Sequence, residues 1–246
     1  MSGRVLCEVN GNELISAIKK VKFAKGKKEK ERYYEIYNTV WLVCDKSLGR
    51  VEVACSSGEQ LALQIIKNAK VYEDFKVAFY YDKDLQLEDR EYELIYEDSK
   101  VKVGNRVLSI FSTDGIPNYW KILEDDAKLK VICNPKKLLA TLKKVAMKDE
   151  NGKILVDLKI SKNDYCKIES AKGLVEKVAV NVIKWVGYRQ KPFYIKIDAN
   201  YLLKALPKFD TTQIELDFVD YGLPVKIFGE NFLYVFVSEN FEKTKK

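Results

Sequence analysis

The chain repeats itself across its midpoint. Asn10-Gly-Asn-Glu-Leu14-Ile-Ser-Ala-Ile-Lys19-Lys20-Val21 reappears half a chain later as Asn134-Pro-Lys-Lys-Leu138-Leu-Ala-Thr-Leu-Lys143-Lys144-Val145. An offset of that size means one domain written twice, so the fold must be a doubled one. Leu14, Ile18 and Val21 fall on one helical face, as do Leu138, Leu142 and Val145, while both lysine pairs point elsewhere. The repeated device is a short helix with an apolar stripe and a basic side. Two such helices backed by sheet can present positive charge to a phosphate backbone.

A length of 246 residues suits two domains of average size, expected at 1–122 and 123–246. The 43 basic and 36 acidic residues give a net charge of +7, which permits a nucleic-acid partner without requiring one. There is no histidine, which removes the usual general base and the commonest metal ligand. Cys7, Cys44, Cys55, Cys133 and Cys166 form no C-x-x-C pair and read as buried reduced thiols, which fits a cytoplasmic setting. No glycine-rich phosphate loop with a following Lys-Ser or Lys-Thr is present, so the expectation is a protein that is not an enzyme, with no metal or cofactor. Charges interrupt every apolar stretch before membrane-spanning length, so no membrane partner is expected.

The first copy reads as a strand at Val5–Val9, a helix from about Asn12 to Phe23 capped by Asn10 or Asn12, and a basic loop from Lys25 to Arg32. Strands are expected over Tyr37–Cys44, Arg50–Cys55, Gln60–Ile66 and Phe75–Tyr80. A second short helix at Tyr81–Leu87 and strands at Tyr92–Tyr96, Lys100–Val103 and Val107–Phe111 complete the copy. The second copy repeats the order: strand Leu129–Cys133, helix Pro135–Met147, and strands at Ile154–Ile160, Tyr165–Ser170, Glu176–Val182 and Phe193–Ile197. A helix from about Ala199 to Leu206 and strands Ile214–Phe218, Pro224–Phe228 and Leu233–Val237 follow. Two helices per copy, each backed by antiparallel sheet, make an α+β architecture.

These segments resemble a family. Ser112-Thr-Asp-Gly-Ile116-Pro117-Asn118-Tyr119 looks like the link between the second and third domains of bacterial DNA sliding clamps, the beta subunits of DNA polymerase III. Ser56-Ser-Gly58-Glu-Gln-Leu61-Ala62 resembles a T-D-G-x-R-L-A strand start of the clamp's middle domain. Ile197-Asp-Ala-Asn200-Tyr201-Leu202-Leu203-Lys-Ala-Leu206 resembles the second helix of its last domain, and Tyr234-Val-Phe-Val237 sits where the family chain ends. The resemblance implies a DNA-clamp fold and a processivity factor that encircles duplex DNA and tethers replication proteins. It also implies a DNA polymerase and a clamp-loader ATPase as partners. The bacterial clamp chain has three such domains and closes as a dimer of six. This chain has two, so a ring of six would take three chains, a homotrimer, with interface edges expected at the strands near Val107–Phe111 and Ile227 or Leu233–Val237. Glu59 and Gln60 stand where the family has histidine and arginine, and Val237-Ser-Glu-Asn-Phe241 replaces its terminal segment; such divergence suggests a viral or mobile-element member.

A clamp must hold DNA without gripping it, and lysines suit that task because they attract phosphate and read no sequence. The candidates are Lys19, Lys20, Lys136, Lys137, Lys143, Lys144, Lys148 and Lys204, with Lys25, Lys27 and Lys28 on the adjoining loop. The competing reading is the solvated side of an amphipathic helix. Carried over by motif, the family's partner-peptide pocket falls on Ser56, Gly58, Leu61, Pro117, Tyr119, Val235, Phe236 and Val237; these also read as core strand and turn residues. Tyrosines beside Lys30, Tyr33 and Tyr34 among them, either stack single-stranded bases or cover a sheet. The alternative function is a monomeric clamp-like interaction protein that binds a polymerase, or its clamp-binding tail, without encircling DNA.

Overall fold

The computed structural model describes residues 3–26, 32–82, 84–113, 115–124, 126–161, 164–186 and 192–239, and of residues 32–34 the backbone alone. The chain divides into two compact units, Met1–Asn118 and Tyr119–Lys246.

In the first unit, strand β1 (Arg4–Asn10) runs straight into helix α1 (Gly11–Val21). Asn10 makes the junction: its backbone is still extended, and its Oδ1 accepts from Asn12 N at 3.0 Å and Glu13 N at 3.2 Å. Two of the helix's unsatisfied amides are thereby paired. Glycine is required at position 11, where a Cβ would stand 2.4 Å from the Glu88 carbonyl oxygen. Leu14, Ile15, Ala17, Ile18 and Val21 are buried, and α1 packs on β3 (Arg50–Ser56) and β4 (Gln60–Ile66). Each fully buried Leu or Ile is worth about 1.5–3 kcal/mol.

The remaining strands are β2 (Val40–Asp45), β5 (Lys70–Val71), β6 (Phe75–Tyr80), β7 (Glu91–Glu97), β8 (Lys100–Val103) and β9 (Arg106–Ser112). All pairing is antiparallel. One sheet runs β4-β3-β2-β6-β9 and the other β5-β1-β7-β8-β9. Strand β9 belongs to both: Arg106–Leu108 pair with β8, and Ser109, Ile110 and Ser112 with β6.

The second unit repeats the plan with β10 (Leu129–Cys133), α2 (Pro135–Val145), β11 (Leu155–Ser161), β12 (Tyr165–Ser170), β13 (Val175–Trp185), β14 (Phe193–Asp198), α3 (Ala199–Ala205), β15 (Ile214–Phe218), β16 (Pro224–Phe228) and β17 (Phe232–Val237). Asn134 caps α2 as Asn10 caps α1, accepting from Lys137 N at 2.9 Å. Its sheets are β14-β11-β12-β13 and β13-β10-β15-β16-β17. Here β13 spans both, pairing with β12 over Val175–Ala179 and with β10 from Val180 to Trp185.

The α+β class and the duplicated order are as expected; three local expectations are corrected. No α-helix forms at Tyr81–Leu87 among the described residues. Asp82 takes the backbone into a turn instead, its Oδ1 accepting from Asp84 N (2.9 Å) and its carbonyl from Leu85 N (3.2 Å). Short acidic side chains compete with helical bonding in this way, and among the described residues of that stretch Leu85 alone is buried, so a helix there would have no stripe to bury. The counterpart α3 does form, because Asp198 Oδ1 caps it through Asn200 N and Leu202 and Ala205 face the core. The strand expected from Tyr37 begins only at Val40, since Arg32–Asn38 is a 3-10 turn. Ile227, expected as an edge candidate, lies in β16 with β15 and β17 on either side.

Candidate nucleic-acid interface

Of the candidate lysines, Lys19, Lys25, Lys136, Lys137, Lys143, Lys144, Lys148 and Lys204 are exposed and Lys20 is half-buried; Lys27 and Lys28, like Lys30 beside the tyrosines, lie outside the described residues. On α2, Lys136, Lys137, Lys143 and Lys144 stand opposite the buried Leu138, Leu142 and Val145. Lys144 Nζ lies 3.5 Å from Glu176 Oε1, an exposed pair of small worth. On α1 the matching outer positions are Asn12, Glu13, Lys19 and Lys20, so one helix side is purely basic and the other mixed.

The two lysine pairs do not carry equal information. Lys19–Lys20 and Lys143–Lys144 occupy the last turns of their helices, where positive charge offsets the negative end of the macrodipole. A helix has its own reason to keep those four. Lys136 and Lys137 are different. They sit in the first turn of α2, beside the positive end, with no acidic residue in that turn. In α1 the same turn carries Glu13. Placing two cations there works against the helix, by about 0.3–1 kcal/mol per charge for exposed sites. On electrostatic grounds α2 itself gains nothing from them.

The residues carried over for a peptide pocket fall in both units. In the first, Ser56 ends β3, donating from Oγ to the Gln60 carbonyl (2.8 Å) and accepting from Gly58 N (3.0 Å). Gly58 holds φ +87, a left-handed conformation that suits glycine. Leu61 is buried and Pro117 half-buried. In the second unit Tyr119, Val235 and Phe236 are buried, and Val237 alone of this group is well exposed. Phe236 stacks between Tyr201 (5.3 Å) and Tyr234 (5.8 Å), so it serves the core.

Sequence reasoning missed Trp120, Ile122 and Leu223, large apolar side chains that are exposed on the second unit. The first two belong to a 3-10 turn, Tyr119–Leu123. The available signal was an apolar run where a solvated link needs none. The chain just beyond this turn is held down: Lys226, buried on β16, donates from Nζ to Asp126 Oδ1 and the Glu124 carbonyl. On the neighbouring strand Asp217 is also buried, with Lys130 Nζ 3.0 Å from its Oδ2. Burial pushes the Asp217 carboxyl up to about 6, against the downward pull of Lys130. Burial alone would lower Lys130, but the carboxylates of Asp217 and Glu215 outweigh it and hold the ammonium above its ordinary range.

All five cysteines are buried free thiols. Burial pushes Cys55, Cys133 and Cys166 each up to about 12, and Cys44, hydrogen-bonded to Cys7 with their sulfurs 3.6 Å apart, is also raised. Thiols so placed are poor nucleophiles at neutral pH. Among the described residues no cluster of three acidic or cysteine side chains is arranged to hold a metal, and no helix is long and apolar enough to cross a membrane.

Two α+β units, each with a capped helix on paired antiparallel sheets and a strand shared between them, invite comparison with solved structures. The DNA polymerase sliding clamp from Pseudomonas aeruginosa aligns over 98% of this chain and 69% of its own, with a TM-score of 0.80 and 16% identity. The chain has the sliding-clamp fold. DNA polymerase III beta subunit from Thermotoga maritima aligns over 98% of this chain and 67% of its own (TM-score 0.81, 20% identity). The sliding clamp from Bacillus subtilis aligns over 96% and 64% (TM-score 0.76, 16% identity). No family model matches the sequence, and no curated protein matches it. At these identities the likeness is one of fold, carried by the pattern of burial and pairing.

Proposed function

We propose that this protein is a DNA sliding clamp, a processivity factor that surrounds duplex DNA and tethers a polymerase to it. The observation that carries the reading is the first turn of α2, where Lys136 and Lys137 stand against the helix's own electrostatic interest on an exposed side. A phosphate backbone supplies the missing reason, and the clamp fold puts that reason in context. The lysines hold DNA through long, mobile ammonium groups and read no bases, which suits sliding.

In this reading the two units are successive clamp domains, and three chains close a six-domain ring through their sheet edges. Strands β9 and β13 suit that role: at each paired position each has a partner on one side only among the described residues. Both expose apolar side chains, Val107 on β9 and Val175 and Ile183 on β13, which sheet continuation would cover. A polymerase tail would dock its apolar side chains on the second unit's exposed Trp120, Ile122 and Val237. A closed ring needs a loader ATPase to open it onto circular DNA, and the setting is cytoplasmic.

The test is topological. Chain assembled from dilute solution around nicked circular duplex should stay with the DNA through gel filtration at moderate salt, and leave when the circle is cut once. Equal retention on linear and circular DNA would replace the ring with one-sided binding. No retention, together with binding of a polymerase tail, would favour the monomeric interaction protein.

A further inference from the structure

The side of the sheet β14-β11-β12-β13 that faces away from α2 is not an ordinary solvated surface. Leu158, Ile160, Cys166 and Val178 point into the core with Leu138 of α2, so the alternate residues of each strand face outward. Across the strands one outward row reads Tyr194, Lys159, Lys167, Lys177, each directly opposite the next. Three neighbouring lysines repel one another at cross-strand spacing. The row is relieved in an unusual way. Lys159 Nζ lies 5.0 Å from the centre of the Tyr194 ring and Lys177 Nζ 4.7 Å from that of Tyr165, while Lys167 is ion-paired with Glu169 at 2.7 Å, a carboxylate that Lys159 also feels. Among the described residues Lys159 and Lys177 therefore rest on aromatic rings and neither forms an ion pair. Tyr194 is 42% exposed.

The first unit shows that the fold does not require this. A row across its matching sheet reads Lys76, Val43, Glu52, Ile65, with Val43 and Glu52 buried. Among the described residues, that matching row of the first unit carries no such basic, aromatic ladder.

We infer that this outer face of the second unit binds single-stranded nucleic acid, its phosphates held by Lys159, Lys167 and Lys177 and its unpaired bases stacked on Tyr194 and Tyr165. Alternating cations and aromatic rings on an open sheet are what a single strand needs: positive charge to follow the backbone, and rings that accept any base. A duplex keeps its bases stacked inside and can use only the charges. The α2 lysines lie on the other side of the same sheet, so the site is separate from the one proposed for duplex DNA. It stands or falls independently of the ring.

The experiment uses the full chain and a fluorescein-labelled oligo-dT 20-mer, with a blunt duplex 20-mer and poly-glutamate as competitors, read by anisotropy over a salt series. The triple variant Lys159→Gln, Lys167→Gln, Lys177→Gln should weaken oligo-dT binding at least tenfold and lower the salt slope by about 2, since single strands give a slope near 0.7 per phosphate contact. Tyr194→Ala should weaken it by about tenfold, within the range for loss of one stacked base, and Tyr194→Phe should restore it. Retention on circular duplex should not change in either variant. Oligo-dT binding unchanged in the triple variant would overturn the inference, as would displacement by poly-glutamate as effective as by unlabelled oligo-dT, which would make the face an acidic-peptide site. Should the triple variant fold poorly, photo-crosslinking of 5-iodo-dU oligonucleotide to the wild-type chain decides. Crosslinks at Tyr194 or Tyr165 support the site, and crosslinks confined to α1 and α2 refute it.

Discussion

The first turns of α1 and α2 occupy equivalent places in two copies of one domain, yet carry opposite charge. Both helices start at an asparagine cap and bury the same positions, Leu14, Ile18 and Val21 matching Leu138, Leu142 and Val145. Inside, the copies agree. Outside, α1 has Asn12 and Glu13 where α2 has Lys136 and Lys137, and where the second unit aligns Lys159, Lys167 and Lys177 the matching row of the first reads Val43, Glu52 and Ile65. The lesson concerns what duplication preserves. Burial constrains shape, so the core changes little, whereas exposed positions are free to specialise. Here the second copy has taken most of the positive charge.

That contrast can be broken most forcefully at the shared core. Ile18→Ala and Leu142→Ala each remove a side chain with no exposed surface, at an expected cost of about 2–5 kcal/mol. Denaturant unfolding should place the two losses within about 1 kcal/mol of each other if the cores are true equivalents. A much smaller loss at either would mean that one helix is not packed as its copy is.

The next largest effect separates the units. Lys226→Ala should cost about 2 kcal/mol, because it strips the charged donor from Asp126 and the Glu124 carbonyl at a buried site. Lys226→Met, which keeps the volume, should cost less. Lys102, a half-exposed lysine paired with Glu97 in the first unit, should cost under about 1 kcal/mol when changed to alanine. Equal losses at Lys226 and Lys102 would remove the structural distinction drawn between them. Cap removal comes third: Asn10→Ala and Asn134→Ala should each cost about 1 kcal/mol in thermal or denaturant unfolding.

The smallest effect on stability is the most telling for function. Lys137→Glu puts an acid at the third helical position after an asparagine cap and should stabilise the second unit by about 0.3–1 kcal/mol, while weakening retention on circular duplex. Glu13→Lys is the mirror change: it should destabilise by a similar amount and strengthen retention. Opposite signs for stability and DNA binding in both variants would show that these charges serve a partner. Matching signs would return them to ordinary helix electrostatics.

Much of this was legible in the residues. Strands such as Gln60–Ile66, Tyr165–Ser170 and Pro224–Phe228 begin and end where composition and turn residues place them. Helices α1 and α2 followed from their apolar stripes, and α1 also from an asparagine cap. What was not legible depended on tertiary context. Asp82-Lys-Asp84 can cap a helix or close a turn, and only the lack of an apolar stripe to bury decides for the turn. Strand β5 is two residues long and exists because β1 offers it an edge. For the peptide site, similarity in chain order located Val235 and Phe236 on a strand but could not say which way they faced. Trp120 and Ile122, exposed in the connecting turn, needed the fold to be noticed. The outer lysine row was invisible for the same reason: Lys159, Lys167 and Lys177 are unremarkable until three strands bring them into one line.

The claim on which the proposed clamp function depends is that two-domain chains complete a ring. Sedimentation equilibrium of the full chain at micromolar concentration, with and without short duplex, tests it most directly. The account predicts a species of three times the 28.4 kDa chain mass, which falls apart when Val175 and Ile183 on β13 are changed to lysine. A chain that stays monomeric at every concentration, with and without DNA, would contradict it.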